Sequence, residues 1–318
     1  MITVRPIRPD EIDAFATFGT DVKHIQDSVK TYLQDMLKKG AIRLDWCFVL
    51  EENGRMCGRA AYWTLPGLDK PLDLVLWELP WHRKDCLFLA QRLLGDTLRL
   101  LHIDDSAEIG HVLDSPAMAP QWQEYAEKRQ EILDGLGFCL ERETHRFERH
   151  GGTVDFAPQG NLIYRALPDV GEEAFVEAIL LVSQSTGDRR ISRERDTKGA
   201  MTQAWDMFRE MQRMEYAADW WELAYNQNGQ LVGLLMPAKA PAFATIGYIG
   251  VVPEQRGYGY IDQLLQRVSL IFAIAGETYI RADTDTGNTS MAKAFERAGY
   301  RCFAKRQEYM ITSSFPFA

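Results

Sequence analysis

The chain has 318 residues, 46% apolar and 25% charged, with a net charge of −9, the balance of a soluble globular protein long enough for two domains. The excess acid is spread along it, 19 basic against 25 acidic residues through residue 150 and 17 against 20 beyond, so neither half carries the basic footprint of a nucleic-acid partner. No apolar run reaches membrane-spanning length; the five scattered cysteines (Cys47, Cys57, Cys86, Cys139, Cys302) contain no Cys-x-x-Cys, which points to a reducing cytoplasm and no structural metal.

The segment from Met1 to Pro6 alternates like a first strand and lacks the apolar region of a signal peptide. Asn53-Gly54 lies between two alternating runs, the strongest short-range hairpin signal. A Pro80-Trp81-His82-Arg83 turn follows, then Lys84 to Phe88 without a glycine, and later Leu136-Gly137-Phe138 with a charged closing strand. From His150 to Asn161 the composition is that of a linker, with Gly151, Gly152, Pro158 and Gly160. The mixed-sign run from Asp188 to Asp196 reads as a solvated loop or helix end within a helical region from Val170 to Asp219.

Beyond the linker the landmarks return in the same order. Trp46, Asn53-Gly54 and Gly58 reappear with unchanged spacing as Trp221, Asn228-Gly229 and Gly233; Pro80 to Arg83 aligns with Pro253 to Arg256, and Gly137-Phe138 with Gly299-Tyr300. This is a tandem duplication. The copies are offset by 160 residues at Arg5 and Arg165 but by 175 at the hairpin, so the second copy has grown within its helical region.

The most informative stretch lies in that second copy. A strand from Ile246 to Val252 ends at Pro253, and a helix follows whose apolar positions Ile261, Leu264, Leu265, Val268, Ile271 and Phe272 recur at helical spacing up to Gly276. The turn between them is Arg256-Gly257-Tyr258-Gly259-Tyr260-Ile261. Glycine allows close backbone approach, and a helix N-terminus offers unpaired amides at its positive end, so the turn can cradle a diphosphate. A strand over Thr278 to Ala282, the run from Asp283 to Asn288, a helix over Ser290 to Arg297 and a closing strand over Arg301 to Ile311 complete the chain.

Over residues 161–312 this order resembles the GCN5-related N-acetyltransferases, the GNAT superfamily, whose acyl-CoA motif is matched at Arg256 to Ile261 and whose next motif is matched by Asn288 and Gly299-Tyr300. The resemblance implies an α+β fold of two tandem GNAT units, each a mixed, mostly antiparallel twisted sheet flanked by helices. Residues 1–150 would form a degenerate copy without a CoA cradle, as in some tandem bacterial families, 151–160 a linker, and 161–318 the catalytic unit. It further implies acetyl-CoA as cosubstrate, no metal, and an acyl-CoA plus a small amine as partners of a monomer or homodimer. The family's splayed strand would free backbone amides over Ile249, Val251 and Val252; the cofactor residues would be these with Arg256, Gly257, Tyr258, Gly259, Tyr260, Ile261, Asn288 and Phe295. Two positions depart from the family: Ile261 replaces a small residue, and Phe295 stands where many members carry a thiolate-protonating tyrosine.

The six histidines all precede residue 151, and the second copy has only Cys302, so a Cys-His acyl-enzyme within it is not expected. Direct attack on the thioester needs an acid or base from elsewhere; Tyr248, Glu222 and Asp283, with Asp285 beside it, are the candidates. The expected activity is N-acylation of a small amine. The alternatives are a non-catalytic acyl-CoA-binding or regulatory protein, and a related enzyme with another donor or an oxygen acceptor.

Overall fold

The computed structural model describes residues 1–65, 67–103, 107–151, 160–240 and 243–312. In chain order its elements are β1 (Ile2–Pro6), α1 (Ile12–Thr17), α2 (Lys23–Lys39), β2 (Ile42–Glu52), β3 (Arg55–Trp63), β4 (Asp73–Glu78), α3 (Cys86–Leu100), β5 (Glu108–Ser115), α4 (Ala126–Gly135) and β6 (Cys139–His150). The second half adds β7 (Ile163–Ala166), α5 (Leu167–Val170), α6 (Glu172–Val182), α7 (Arg189–Lys198), α8 (Ala200–Gln212), β8 (Glu222–Tyr225), β9 (Leu231–Ala240) and β10 (Phe243–Val251). It closes with α9 (Tyr260–Ile274), β11 (Tyr279–Asp285), α10 (Thr289–Arg297) and β12 (Arg301–Thr312).

The chain divides into two units, one of Met1–Glu143 with the segment from Lys305 onward, the other of Thr144–Ala304. It crosses between them inside β6 and again inside β12. Composition placed the crossing at 151–160, and residues 152–159 of that stretch lie outside the described residues.

In the first unit the strand order is β1-β2-β3-β4-β5-β12, antiparallel except for β4 beside β5. One face is covered by α1 and α2: Ile25, Val29 and Leu33 recur every four residues along α2 and meet Val49, Ala61 and Val75. The other face carries α3 and α4, with Leu89, Leu93 and Ile132 against Phe48, Tyr62 and Trp77.

The second unit repeats the plan as β6-β11-β10-β9-β8-β7, with β10 parallel to β11 and the other neighbours antiparallel. Phe175, Ile179 and Phe208 of α6 and α8 cover one face around Trp221. Leu264, Leu265, Val268 and Phe272 of α9 cover the other with Phe295 of α10. The helix–sheet–helix architecture with a twisted, mostly antiparallel sheet is thus present twice.

Both Asn-Gly pairs make hairpins, but of different kinds. Asn53 and Gly54 both have positive φ, 52° and 75°, in a two-residue turn between Glu52 and Arg55, the mirror-image type whose twist suits paired strands. Around Asn228-Gly229 the loop is three residues long, Asn226 and Gln230 closing it, and only Gly229 is left-handed.

Candidate active site

The parallel pair β10–β11 holds only at its start, where Ala244 faces Ile280 and Thr245 faces Arg281. Beyond a bulge at Gly247, β10 stays with β9 alone. Val252 donates to Val232 O at 2.9 Å. The two-residue alternation of an antiparallel ladder then directs the amides of Ile249 and Val251 to the opened side. The side chains divide likewise: Ile249 and Val251 pack toward α9, Tyr248 and Val252 toward α6 and α8.

The open strand leads into the turn. Pro253–Gln255 make one tight turn, Arg256 N donating to Pro253 O at 3.2 Å. Gly257 and Gly259 adopt φ of +87° and +75°, and a Cβ on either would meet nothing within 4 Å. Between them Tyr258 is 71% exposed. Gly259 caps α9 without a side-chain bond, so the first amides of the helix face open space, as an anion requires. Ile261 does not cover them; with Tyr260 it packs against the α9-side core. The acid of the first turn, Asp262, is neutralised by Arg297 at 2.8 Å. These residues fit a nucleotide diphosphate.

Arg256 does something the sequence did not disclose. Its guanidinium donates to four carbonyls: Val251 O at 3.0 Å, Val182 O at 2.9 Å, Gln184 O at 2.8 Å and Ser185 O at 3.0 Å. It ties the C-terminus of α6 to the end of β10, where a cation also suits the helix dipole. The guanidinium that the resemblance counts among the cofactor residues is thus engaged by backbone carbonyls in this structure.

Of the proton-transfer candidates, Glu222 is engaged. It is 5% exposed and grips Arg267 of α9 through both oxygens, at 2.7 and 2.5 Å. Asp283 is exposed and lies 3.6 Å from Arg146 on β6. Asp285 is 1% exposed and accepts from the Gly287 and Arg189 amides at 2.9 and 3.4 Å, which makes it a loop-fixing group. Tyr248 differs from these. Its hydroxyl has no hydrogen-bond partner among the described residues, and burial, reinforced by Asp188, pushes its pKa above the ordinary 10.0. It is a phenol that stays protonated across the physiological range.

Asn288 caps α10, its side chain accepting from Met291 N at 3.2 Å. Phe295 is 2% exposed, with ring centroids 5.2 Å from Phe147 and 5.4 Å from Tyr300. The second unit is not without histidine. Because β6 from Thr144 onward belongs to the second unit, His145 lies in that unit, with Nδ1 4.0 Å from the Cys302 sulfur. Cys302 is exposed, and partial desolvation raises its thiol pKa above the ordinary value, which disfavours the nucleophilic thiolate.

The Glu222–Arg267 pair makes a direct test. Glu222→Gln is expected to lower the melting temperature, since it leaves Arg267 without its counter-charge, while kcat per folded molecule stays within about threefold, far less than a general base supplies. A hundredfold loss in a fully folded variant would reinstate Glu222 as the base.

In the first unit the corresponding turn engages its own carboxylates. Arg83 N donates to Pro80 O at 2.8 Å, just as Arg256 does to Pro253. Arg83 itself is held by Glu52 at 2.7 Å and Asp85 at 2.6 Å, and Asp85, the N-cap residue of α3, makes no side-chain bond to the helix and gives both its oxygens to Arg83. The strand pair β4–β5 parts too, after the single bridge Asp73–Gly110. There the freed backbone is filled from within: Gln121 Oε1 accepts from Leu76 N at 3.0 Å, and Gln123 Nε2 donates to Val112 O at 2.7 Å.

Among the described residues no helix is long and apolar enough to cross a membrane, and no three His, Cys, Asp or Glu side chains gather as metal ligands. No protein-family model and no curated protein matches the chain. Solved structures do match. A GCN5-related N-acetyltransferase from Sphaerobacter thermophilus aligns over 98% of this chain and 95% of its own, at 16% identity and a TM-score of 0.60. A fungal multi-domain β-N-acetylglucosaminidase with a GCN5-related glucosamine N-acetyltransferase region aligns over 97% of this chain and 38% of its own, at 13% identity and a TM-score of 0.51. These likenesses establish the fold: the chain is built on the GNAT fold.

Proposed function

We propose that the second unit transfers an acyl group from acetyl-CoA to the amine of a small acceptor by direct attack on the thioester. The observation that carries this reading is the parting of β10 from β11 immediately before a turn with two left-handed glycines and an open helix N-terminus. In this reading Gly257, Gly259 and the first amides of α9 hold the diphosphate, and the amides of Ile249 and Val251 receive the thioester oxygen as it becomes an oxyanion. The acceptor arrives on the face of α6 and α8. Its nitrogen, as the free base, forms the new C–N bond while the C–S bond breaks. The nitrogen loses its proton to water, and the departing sulfur takes one from Tyr248 or from solvent. Thiolate departure near neutrality needs little help, a thiol pKa being about 8.5.

The test is release of free thiol from acetyl-CoA across a panel of small amines. Turnover on any amine supports the reading. A second reading, an acyl-CoA-binding protein without chemistry, is favoured by Phe295 in the tyrosine position and by the engagement of Glu222 and Asp285; tight acetyl-CoA binding with no turnover on any amine would select it.

The pH profile follows from the Tyr248 environment. A pKa raised above 10 leaves the phenol protonated at every lower pH, so kcat/KM should climb as the acceptor amine loses its proton and show no alkaline decline below about pH 10. A decline centred near pH 8 that disappears in Tyr248→Phe would contradict the raised pKa. Phe295→Tyr is expected to give no rate gain and to cost roughly 1–3 kcal/mol of stability, because the new hydroxyl enters the core beside Phe147.

A further inference from the structure

The first unit contains a cavity of about 280 Å³ where β4 and β5 part, lined by Tyr32, Trp63, Asp73, Gln123, Asp114 and Arg306 among others. Gln121 and Gln123 satisfy the strand edges but leave this space behind them. Its charges do not balance. Asp114 and Arg306 neutralise each other through two bonds of 2.8 and 2.6 Å. Asp73 has no side-chain hydrogen bond or ion pair among the described residues. Its carboxylate is seated by Gly110, where a Cβ would come within 2.2 Å of Oδ1. Burial raises the Asp73 pKa, and the nearby negative charge of Glu308 adds to the shift. The rings of Tyr32 and Trp63 complete the wall, and aromatic faces attract cations.

We propose that the first unit is a receptor for a small organic ammonium ion, bound in this cavity with Asp73 as its counter-ion. An ammonium group supplies the missing charge and the missing donors together, and an apolar body suits the ring-lined wall. The volume has room for about ten non-hydrogen atoms, at the small end of ligand sites. The unit that has no phosphate cradle would in this way keep a binding function of its own. The proposal does not rest on acyl transfer by the second unit.

The experiment titrates the full-length protein with 2-phenylethylammonium and butylammonium chloride, and with 2-phenylethanol and 1-butanol as neutral counterparts. The expected result is saturable binding of an ammonium probe, with its alcohol weaker by about tenfold or more, as for a charge-assisted bond. Asp73→Asn should weaken the ammonium probe by a similar factor, and Val75→Phe, which fills the cavity without changing its charge, should abolish binding. Both variants should leave acetyl-CoA affinity within about twofold, which separates this site from the second unit. If Asp73→Asn does not fold, the comparison of Val75→Phe with the parent decides. No ammonium binding, equal binding of the alcohols, or affinity retained in Val75→Phe would overturn the proposal.

Discussion

Changing Gly257 and Gly259 together to valine is expected to weaken acetyl-CoA binding by about a hundredfold or more, measured by titration calorimetry on the folded variant. The cause is conformational. Nothing lies within 4 Å of where either Cβ would be, so the substitution meets no protein neighbour. It meets the backbone instead: φ of +87° and +75° are outlier values for a β-branched residue, each costing roughly 1–3 kcal/mol to hold. The turn relaxes toward negative φ, and the α9 amides no longer converge on one point. Arg83→Ala should leave the affinity unchanged and the stoichiometry at one per chain. Binding retained within tenfold in the double valine variant, or a second equivalent bound at Arg83, would remove the basis of the cradle assignment.

Arg256→Ala should be the most destabilising surface substitution in the second unit, at roughly 3 kcal/mol, since it strips charge-assisted bonds from four carbonyls at once. Lysine should recover little, because three donors on one atom cannot span acceptors on both α6 and β10. The informative readout is the split between ligands. With its donors spent on carbonyls, Arg256 should matter little to acetyl-CoA affinity, less than about tenfold, while KM for the acceptor rises as α6 loosens. A large loss of acetyl-CoA affinity at an unchanged melting temperature would mean that Arg256 leaves those carbonyls to bind phosphate.

Local signals carried far in this chain. Leu264, Leu265, Val268 and Phe272 announce α9 because periodicity is written in adjacent turns, and Asn53-Gly54 announces a hairpin because the conformation is intrinsic to the pair. The Arg256 contacts were hidden because three of the four carbonyls it reaches lie some seventy residues upstream, and backbone acceptors leave no mark in a side-chain pattern. Glu222 looked available for the same reason, its partner Arg267 being 45 residues away. His145 was assigned to the wrong half because strand pairing, not composition, decides where β6 belongs. The splay of β10 from β11 was legible only through the resemblance: no residue type encodes a missing hydrogen bond.

The crossing of the chain inside β12 has a consequence for synthesis. Residues 305–312, which pair with β5, leave the ribosome only after the whole of Thr144–Ala304 has been made. For that interval, on the order of ten to thirty seconds at typical elongation rates, the nascent first unit offers β5 as a bare edge. Such an edge invites pairing with any passing strand. Asp114 on β5 places a charge on that edge at the time of greatest exposure, before Arg306 arrives to take it up.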